Sequence, residues 1–249
     1  MNSLIGWWED AGIETDIPVL PPAASRTAPA ARTQAPSAAR SQPAAKAPLK
    51  PRQDARAMAA GADSVEALKA VLEQYEGCAL RFTATNTVFA RGNPAAPLMV
   101  IGEGPGAEED RQGAPFVGRS GQLLDRMLGA IGLDDTRFHI TNVVYWRPPG
   151  NRKPSSEEIE ACRPFVERHI AIVKPRVILL AGGIAAQSLL NTPQGIMALR
   201  GRWGEISAGG HTAPALPTFH PAFLLRRPQE KAKAWADMLS LAEKLEELG

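Results

Sequence analysis

Three residues at the ends of apolar runs carry the chemistry of this sequence: Glu103 in Gly102-Glu103-Gly104-Pro105-Gly106, Asn142 in Thr141-Asn142, and His220 in His220-Pro221-Ala222. A carboxylate can hold a water. An oriented amide can read a carbonyl and an N–H of a flat ring together, and an imidazole can donate to an oxygen that gathers negative charge. Phe116 stands between two glycine-bearing turns in Arg111-Gln112-Gly113-Ala114-Pro115-Phe116-Val117-Gly118-Arg119-Ser120-Gly121. Alone it reads as core, but with the other three it becomes the platform of a pocket for a base extruded from nucleic acid. The turn Gly102-Glu103-Gly104-Pro105-Gly106-Ala107-Glu108-Glu109-Asp110 fits neither a dinucleotide fingerprint nor a P-loop, and its later carboxylates would repel phosphate. It reads instead as a backbone cradle for a neutral flat group, with Glu103 or a later acid beside a water.

The elements that must position these residues alternate. Residues 97–102, 138–144, 176–182 and 215–220 read as buried parallel strands. Helical spacing begins at Val65 behind a cap candidate, Asp63-Ser64, and returns over 121–131, 156–173, 183–191 and 228–248. This order predicts an α/β fold, a three-layer α/β/α sandwich with a central four-stranded, mostly parallel sheet. Pro217 cannot donate to a ladder, which places its strand at an edge or puts the residue near a strand end. Ligands of such sheets bind outside the carboxyl ends of the strands, where Glu103, Asn142, Gly182-Gly183 and His220 all fall.

The chain has 249 residues, with 22 Gly, 22 Pro and two Tyr, and much of the Ala and Pro is concentrated before residue 61. Three regions follow: a short apolar N-terminal piece (1–16) with Trp7-Trp8 as a candidate docking motif, a disordered Ala/Pro-rich basic linker (17–60), and a catalytic domain (61–249). The net charge of +2 is too mild to mark a nucleic-acid binder by itself, yet residues 21–60 hold seven Lys or Arg against one Asp. No run approaches the ~18 apolar residues of a membrane span and the N-terminus lacks a signal-peptide pattern, so a cytoplasmic protein is expected. Cys78 and Cys162, far apart in sequence, do not make a disulfide framework.

GEGPGAEEDRQGAPFVG, TNVVYWRPPGNRKP and FHPAFLLRRP, in this order, resemble the motifs of the uracil-DNA glycosylase superfamily, closest to its family 4. The resemblance covers roughly residues 72–245 and implies roles residue by residue. Glu103 and Gly104 would line the uracil pocket and help position the attacking water, Phe116 would stack on the flipped base, Asn142 would bond the uracil edge, and His220 would face uracil O2. Family 1 enzymes carry Asp where this chain has Gly104, so the water-activating acid is Glu103 or Glu109. Phosphate contacts are expected from Arg119, Ser120, Arg147, Arg152, Arg226 and Arg227. Leu224 is expected as the wedge that fills the vacated stack, against the alternative of a leucine packed into the core.

Family 4 members resemble one another in four cysteines that hold a 4Fe–4S cluster. Here Tyr75 and Cys78 fall at the first two positions, Trp146 and Cys162 at the last two. Neither Tyr nor Trp is a plausible cluster ligand, which predicts a core repacked around aromatic rings, with no metal and no cofactor. The implied function is a monofunctional, monomeric uracil-DNA glycosylase acting on single- or double-stranded DNA, without a membrane partner. Monofunctional rests on the absence of an evident pocket lysine, with Lys153 expected on the outer loop. Two alternatives stay open: a uracil- or abasic-DNA binding protein with little turnover, and a glycosylase for another deaminated base.

Overall fold

The computed structural model describes residues 52–249; the Trp7-Trp8 piece and most of the expected linker lie outside them. In chain order the structure has α1 (Arg52–Ala60), α2 (Val65–Gln74), β1 (Ala90–Gly92), β2 (Leu98–Gly102), α3 (Ala107–Gln112), α4 (Arg119–Gly129), β3 (Phe138–Asn142) and α5 (Ser156–Val173). It continues with β4 (Val177–Ala181), α6 (Gly183–Leu189), α7 (Ile196–Leu199), β5 (Gly204–Ala208), β6 (His211–Thr218), α8 (Pro221–Arg226) and α9 (Lys231–Glu247). Capping fixes the helix starts. The Ser64 hydroxyl accepts the Ala67 amide at 3.1 Å to open α2. Ser155 and Glu158 form a reciprocal box at the head of α5, with bonds of 3.2 and 2.7 Å.

The sheet has six strands in the order β1-β3-β2-β4-β6-β5. The four expected strands form its parallel centre. Two antiparallel edge strands go beyond the expectation: β1, paired with β3, and β5, paired with the first half of β6. Both edges are short and carry polar or glycine residues, so neither has the apolar run that marks a buried strand. Pro217 lies opposite Leu180 on an interior strand, one residue from its end and beyond the stretch that β5 covers. It is a strand-end proline, not an edge one.

The central strands are buried on both faces, which their unbroken apolar sequence requires. Met99, Ile101, Ile178 and Leu180 build one core with Phe165, Val166 and Ile170 of α5. Against α5 stand α1 and α2, while α9 covers β4 and β6 and contacts α4. Helix α1 corrects the expected boundary of the linker. Its last nine residues fold, and Ala55 and Ala59 are buried in the α5 core. Two alanines and the partly buried Met58 carry this docking, with no longer apolar run to mark it, which is why an Ala-rich stretch read as linker.

Candidate active site

From β2 the chain steps to β3 on one side and later to β4 on the other, so a crevice opens at the carboxyl ends of the central strands. There lies a cavity of about 420 Å³, lined by Glu103, Gly104, Phe116, Asn142, Lys153 and His220 together with neighbouring loop residues.

Asn142 ends β3 and is 1% exposed. Its Oδ1 has no hydrogen-bond partner among the described residues. A buried acceptor left this way costs about 1–3 kcal/mol, a cost relieved when a ligand N–H reaches it. Gly102 stands opposite in register. A Cβ there would come within 2.5 Å of both Asn142 Oδ1 and Phe116 Cζ, so glycine at this point lets the amide and the ring close on the same space.

Phe116 holds a left-handed backbone, φ 54°, which is strained for an aromatic residue. The surroundings enforce it. Arg91 donates to the carbonyls of Pro115 at 2.9 Å and Phe116 at 3.3 Å while pairing with Asp125 at 2.5 Å. Gly121 passes so near that a Cβ would lie 1.8 Å from the Phe116 oxygen. The ring is fixed 5.5 Å from that of His220, with 28° between their planes.

His220 precedes α8, and its Nδ1 accepts the Ala222 amide at 3.1 Å. An accepting Nδ1 puts the proton of the neutral ring on Nε2, leaving Nε2–H as a donor. Burial, helped by the charge of Arg226, pushes the His220 pKa down to about 4, so this neutral tautomer persists across the neutral range. Gly182, at φ 107°, makes room: a Cβ there would meet the His220 Cβ at 3.0 Å.

The two candidate acids both line the cavity but are engaged differently. Glu109 is buried, and its carboxylate accepts the amides of Gly106 at 3.1 Å, Val117 at 3.1 Å and Gly118 at 2.9 Å. It ties the turn after β2 to the turn that carries Phe116. Glu103 is half-buried on the cavity wall; desolvation raises its pKa, and the charge of Lys153 pulls it back. Gly104 is packed so that a Cβ would lie 2.6 Å from Val144 Cγ2, which leaves no room for a side chain unless Val144 moves.

A family profile, that of the uracil DNA glycosylase superfamily, matches residues 89–239. The chain belongs to the uracil DNA glycosylase superfamily. It is similar to the type-4 uracil-DNA glycosylase of Archaeoglobus fulgidus, 38% identical over 67% of this chain and 85% of that protein. The type-4 uracil-DNA glycosylase of Pyrobaculum aerophilum is 35% identical over 70% and 91%, respectively, and that of Thermotoga maritima 40% identical over 60% and 77%.

Within this superfamily site, the expected phosphate contacts take different places. Ser120, Arg152 and Arg226 line the cavity, while Arg119 and Arg227 are exposed beside it. Arg147 donates to Asn151 Oδ1 at 2.7 Å. Arg152 grips Glu158 at 2.6 and 2.8 Å and also donates to the Lys153 carbonyl at 2.9 Å, so it fastens its own loop to the head of α5. Leu224 is fully buried on α8, which contacts α4; the packed-leucine alternative holds and the wedge assignment to Leu224 does not. Leu225 is the exposed leucine of this turn, at 38%. Lys153 lies on the exposed loop after β3, as expected, and from there it also borders the cavity. Arg91 and Gly121 escaped sequence reasoning, because an arginine on a short edge strand and a glycine inside a helix carry no local mark of a role in the site.

The four positions matched to cluster cysteines are all buried. The Tyr75 ring packs 5.0 Å from that of Phe165, and Trp146 Nε1 donates to Thr87 Oγ1 at 3.0 Å. The Cys162 thiol hydrogen-bonds Cys78, and this bond with burial pushes its pKa well up. Two protonatable thiols and two packed aromatic rings do not fit a 4Fe–4S cluster, which needs four thiolate-type ligands. Among the described residues no group of three or more His, Cys, Asp or Glu could hold a metal ion, and no helix is long and apolar enough to cross a membrane.

Proposed function

We propose that this chain is a monofunctional uracil-DNA glycosylase, which takes uracil out of the DNA stack and hydrolyses its N-glycosidic bond to leave an abasic site for base excision repair. One observation carries the reading: an unpartnered amide oxygen on Asn142 and an Nε2–H donor on His220 bound the same cavity. Uracil complements both. Its N3–H meets Asn142 Oδ1, its O4 accepts from the amide nitrogen, and its O2 accepts from His220 Nε2–H. Cytosine presents an acceptor at position 3 and a donor at position 4, so the same amide would leave both edges mismatched.

As the glycosidic bond breaks, its electron pair passes into the ring and charge collects on O2, where the fixed imidazole donor stabilises it without reorganisation. The sugar becomes oxocarbenium-like. Glu103 orders a water beside it; the water oxygen bonds to C1′, its proton leaves to the carboxylate or solvent, and uracil departs as the anion. Phe116 stacks on the flipped base and Glu109 keeps the Phe116 turn in place. No step requires a metal, consistent with Tyr75 and Trp146 at two of the cluster positions. Arg119, Ser120, Arg226 and Arg227 hold phosphates, and Leu225 fills the gap left by the base.

Single-turnover incubation of the purified monomer with a uracil-containing oligonucleotide in EDTA, beside an iron assay on the same sample, tests the proposal. Base loss revealed only after alkali, without iron, is the expected result. Tight uracil- or abasic-DNA binding without base loss would replace it with the binding-protein reading, and spontaneous strand cleavage would overturn the monofunctional part.

A further inference from the structure

Glu103 is in an awkward place for an acid that must be an anion. It is half-buried, and burial favours its neutral form. The groups around it are unequal in their power to oppose this. Glu109, at the head of α3, is engaged by three backbone amides. His220, after β6, is a neutral imidazole, and Arg226 on α8 bears on that ring. Arg152, in the loop after β3, is held by Glu158. Lys153 remains. It lines the same cavity as Glu103 and acts on it through its charge.

The backbone of the loop carrying Lys153 is fastened beside the cavity, with the lysine side chain itself exposed. The Ser155–Glu158 box fixes the head of α5, Glu158 receives both arms of Arg152, and Arg152 donates back to the Lys153 carbonyl at 2.9 Å. Pro154, buried, stiffens the next residue.

From this arrangement we infer that Lys153 is a positioning residue for base excision: its ammonium, on the cavity wall it shares with Glu103, holds that carboxylate as the anion that orders the attacking water. The inference rests on the glycosylase reading above. It also predicts a cost for charge removal that depends on pH, since the lysine matters most where Glu103 is close to taking up a proton.

The test is the pH profile of single-turnover uracil excision by full-length Lys153→Met, Lys153→Arg and Glu103→Gln proteins, with thermal midpoints measured to confirm folding. Lys153→Met is expected to move the acid limb of the profile to higher pH, while rates converge with the parent at the alkaline end. A limb displaced by one pH unit lowers the rate along it about tenfold. Lys153→Arg should restore the parent profile. Combined with Glu103→Gln, which lacks that limb, Lys153→Met should add no further pH dependence. A uniform loss at every pH, with the salt dependence of DNA binding reduced by about one ion, would make Lys153 an ordinary phosphate contact and overturn the inference. A parent-like profile for Lys153→Met, with Glu103→Gln slow, would sink the inference alone. A parent-like rate for Glu103→Gln would instead sink the assigned role of Glu103.

Discussion

The Ala222 amide donates to Nδ1 of His220 at 3.1 Å, and this one bond decides which nitrogen faces the substrate. With Nδ1 accepting, the proton sits on Nε2, and a pKa of about 4 keeps the ring neutral over the working range. The imidazole is therefore a fixed dipole and not a cation. His220→Leu is expected to lower the single-turnover rate about 10²–10³-fold, the usual loss for one oxyanion donor, with a much smaller change in binding of uracil-DNA. Because the folded-state pKa is depressed, acidification from pH 7 to 5 should not raise the rate of the parent through His220. A rate that climbed over that interval in the parent but stayed flat in His220→Leu would show a protonated imidazole at work.

Glu103 and Glu109 separate by a pair of measurements. Glu103→Gln keeps volume and hydrogen-bonding capacity but loses the charge, so excision should slow more than binding weakens and the thermal midpoint should barely move. Glu109→Ala removes the acceptor of three amides that join the two turns, a change expected to cost about 2 kcal/mol or more of stability. Its remaining activity should keep the parental pH profile. A stable Glu109→Ala protein with an altered acid limb would transfer the water-ordering role to Glu109.

The central strands, α5 to the residue and three of the pocket residues were legible because each carries a strong local signal, and Phe116 followed from their company. The strands are unbroken apolar runs, α5 has a capping box at one end, and Glu103, Asn142 and His220 sit where strands stop. What escaped depends on three-dimensional company. Helix α1 docks through alanines, and Arg91 reaches the Phe116 turn from a three-residue edge strand. The choice between Leu224 and Leu225 is one of helical phase over a six-residue helix, too short for periodicity to settle. Lys153 lies in a proline-flanked loop whose fold back over the cavity is set by Arg152 and Glu158.

The place of α1 changes how the N-terminal region should be truncated. Residues 21–51 hold five Lys or Arg, and a deletion of residues 1–51 should weaken DNA binding at low salt while leaving the chemical step unchanged. A deletion of residues 1–60 also strips α1 from α5, exposing the surface that Ala55 and Ala59 cover, and should lower the thermal midpoint. Equal stability of the two truncations would show that α1 contributes nothing to the fold.

Trp146, at a position the family resemblance matches to a cluster cysteine, is a buried ring, so its contribution should be mechanical. Trp146→Ala removes a buried indole and its bond to Thr87, and should destabilise the protein by about 3–5 kcal/mol. Iron content should be unchanged from the parent's. Cys162→Ala, which removes only a small side chain and one thiol–thiol bond, should be milder and likewise leave iron content alone. Loss of stoichiometric iron in the Cys162→Ala protein would show that a metal centre had been there.

Two buried histidines make acid the weak point of the fold. His139 of β3 and His169 of α5 touch through their Nε2 atoms at 2.9 Å, one donating and the other accepting. Desolvation lowers both pKa values, most strongly for His169, which His139 also opposes by its charge. In the unfolded chain each titrates near 6.5, so below that pH the unfolded state binds protons that the folded state cannot. Stability supplied by the neutral pair is thus complete above about pH 6.5 and declines as the pH falls, by up to about 1.4 kcal/mol per pH unit for each imidazole. Urea denaturation between pH 8 and 4.5 reads this slope directly. The double variant His139→Leu, His169→Leu should flatten it, and an unchanged slope would assign the acid sensitivity to other groups.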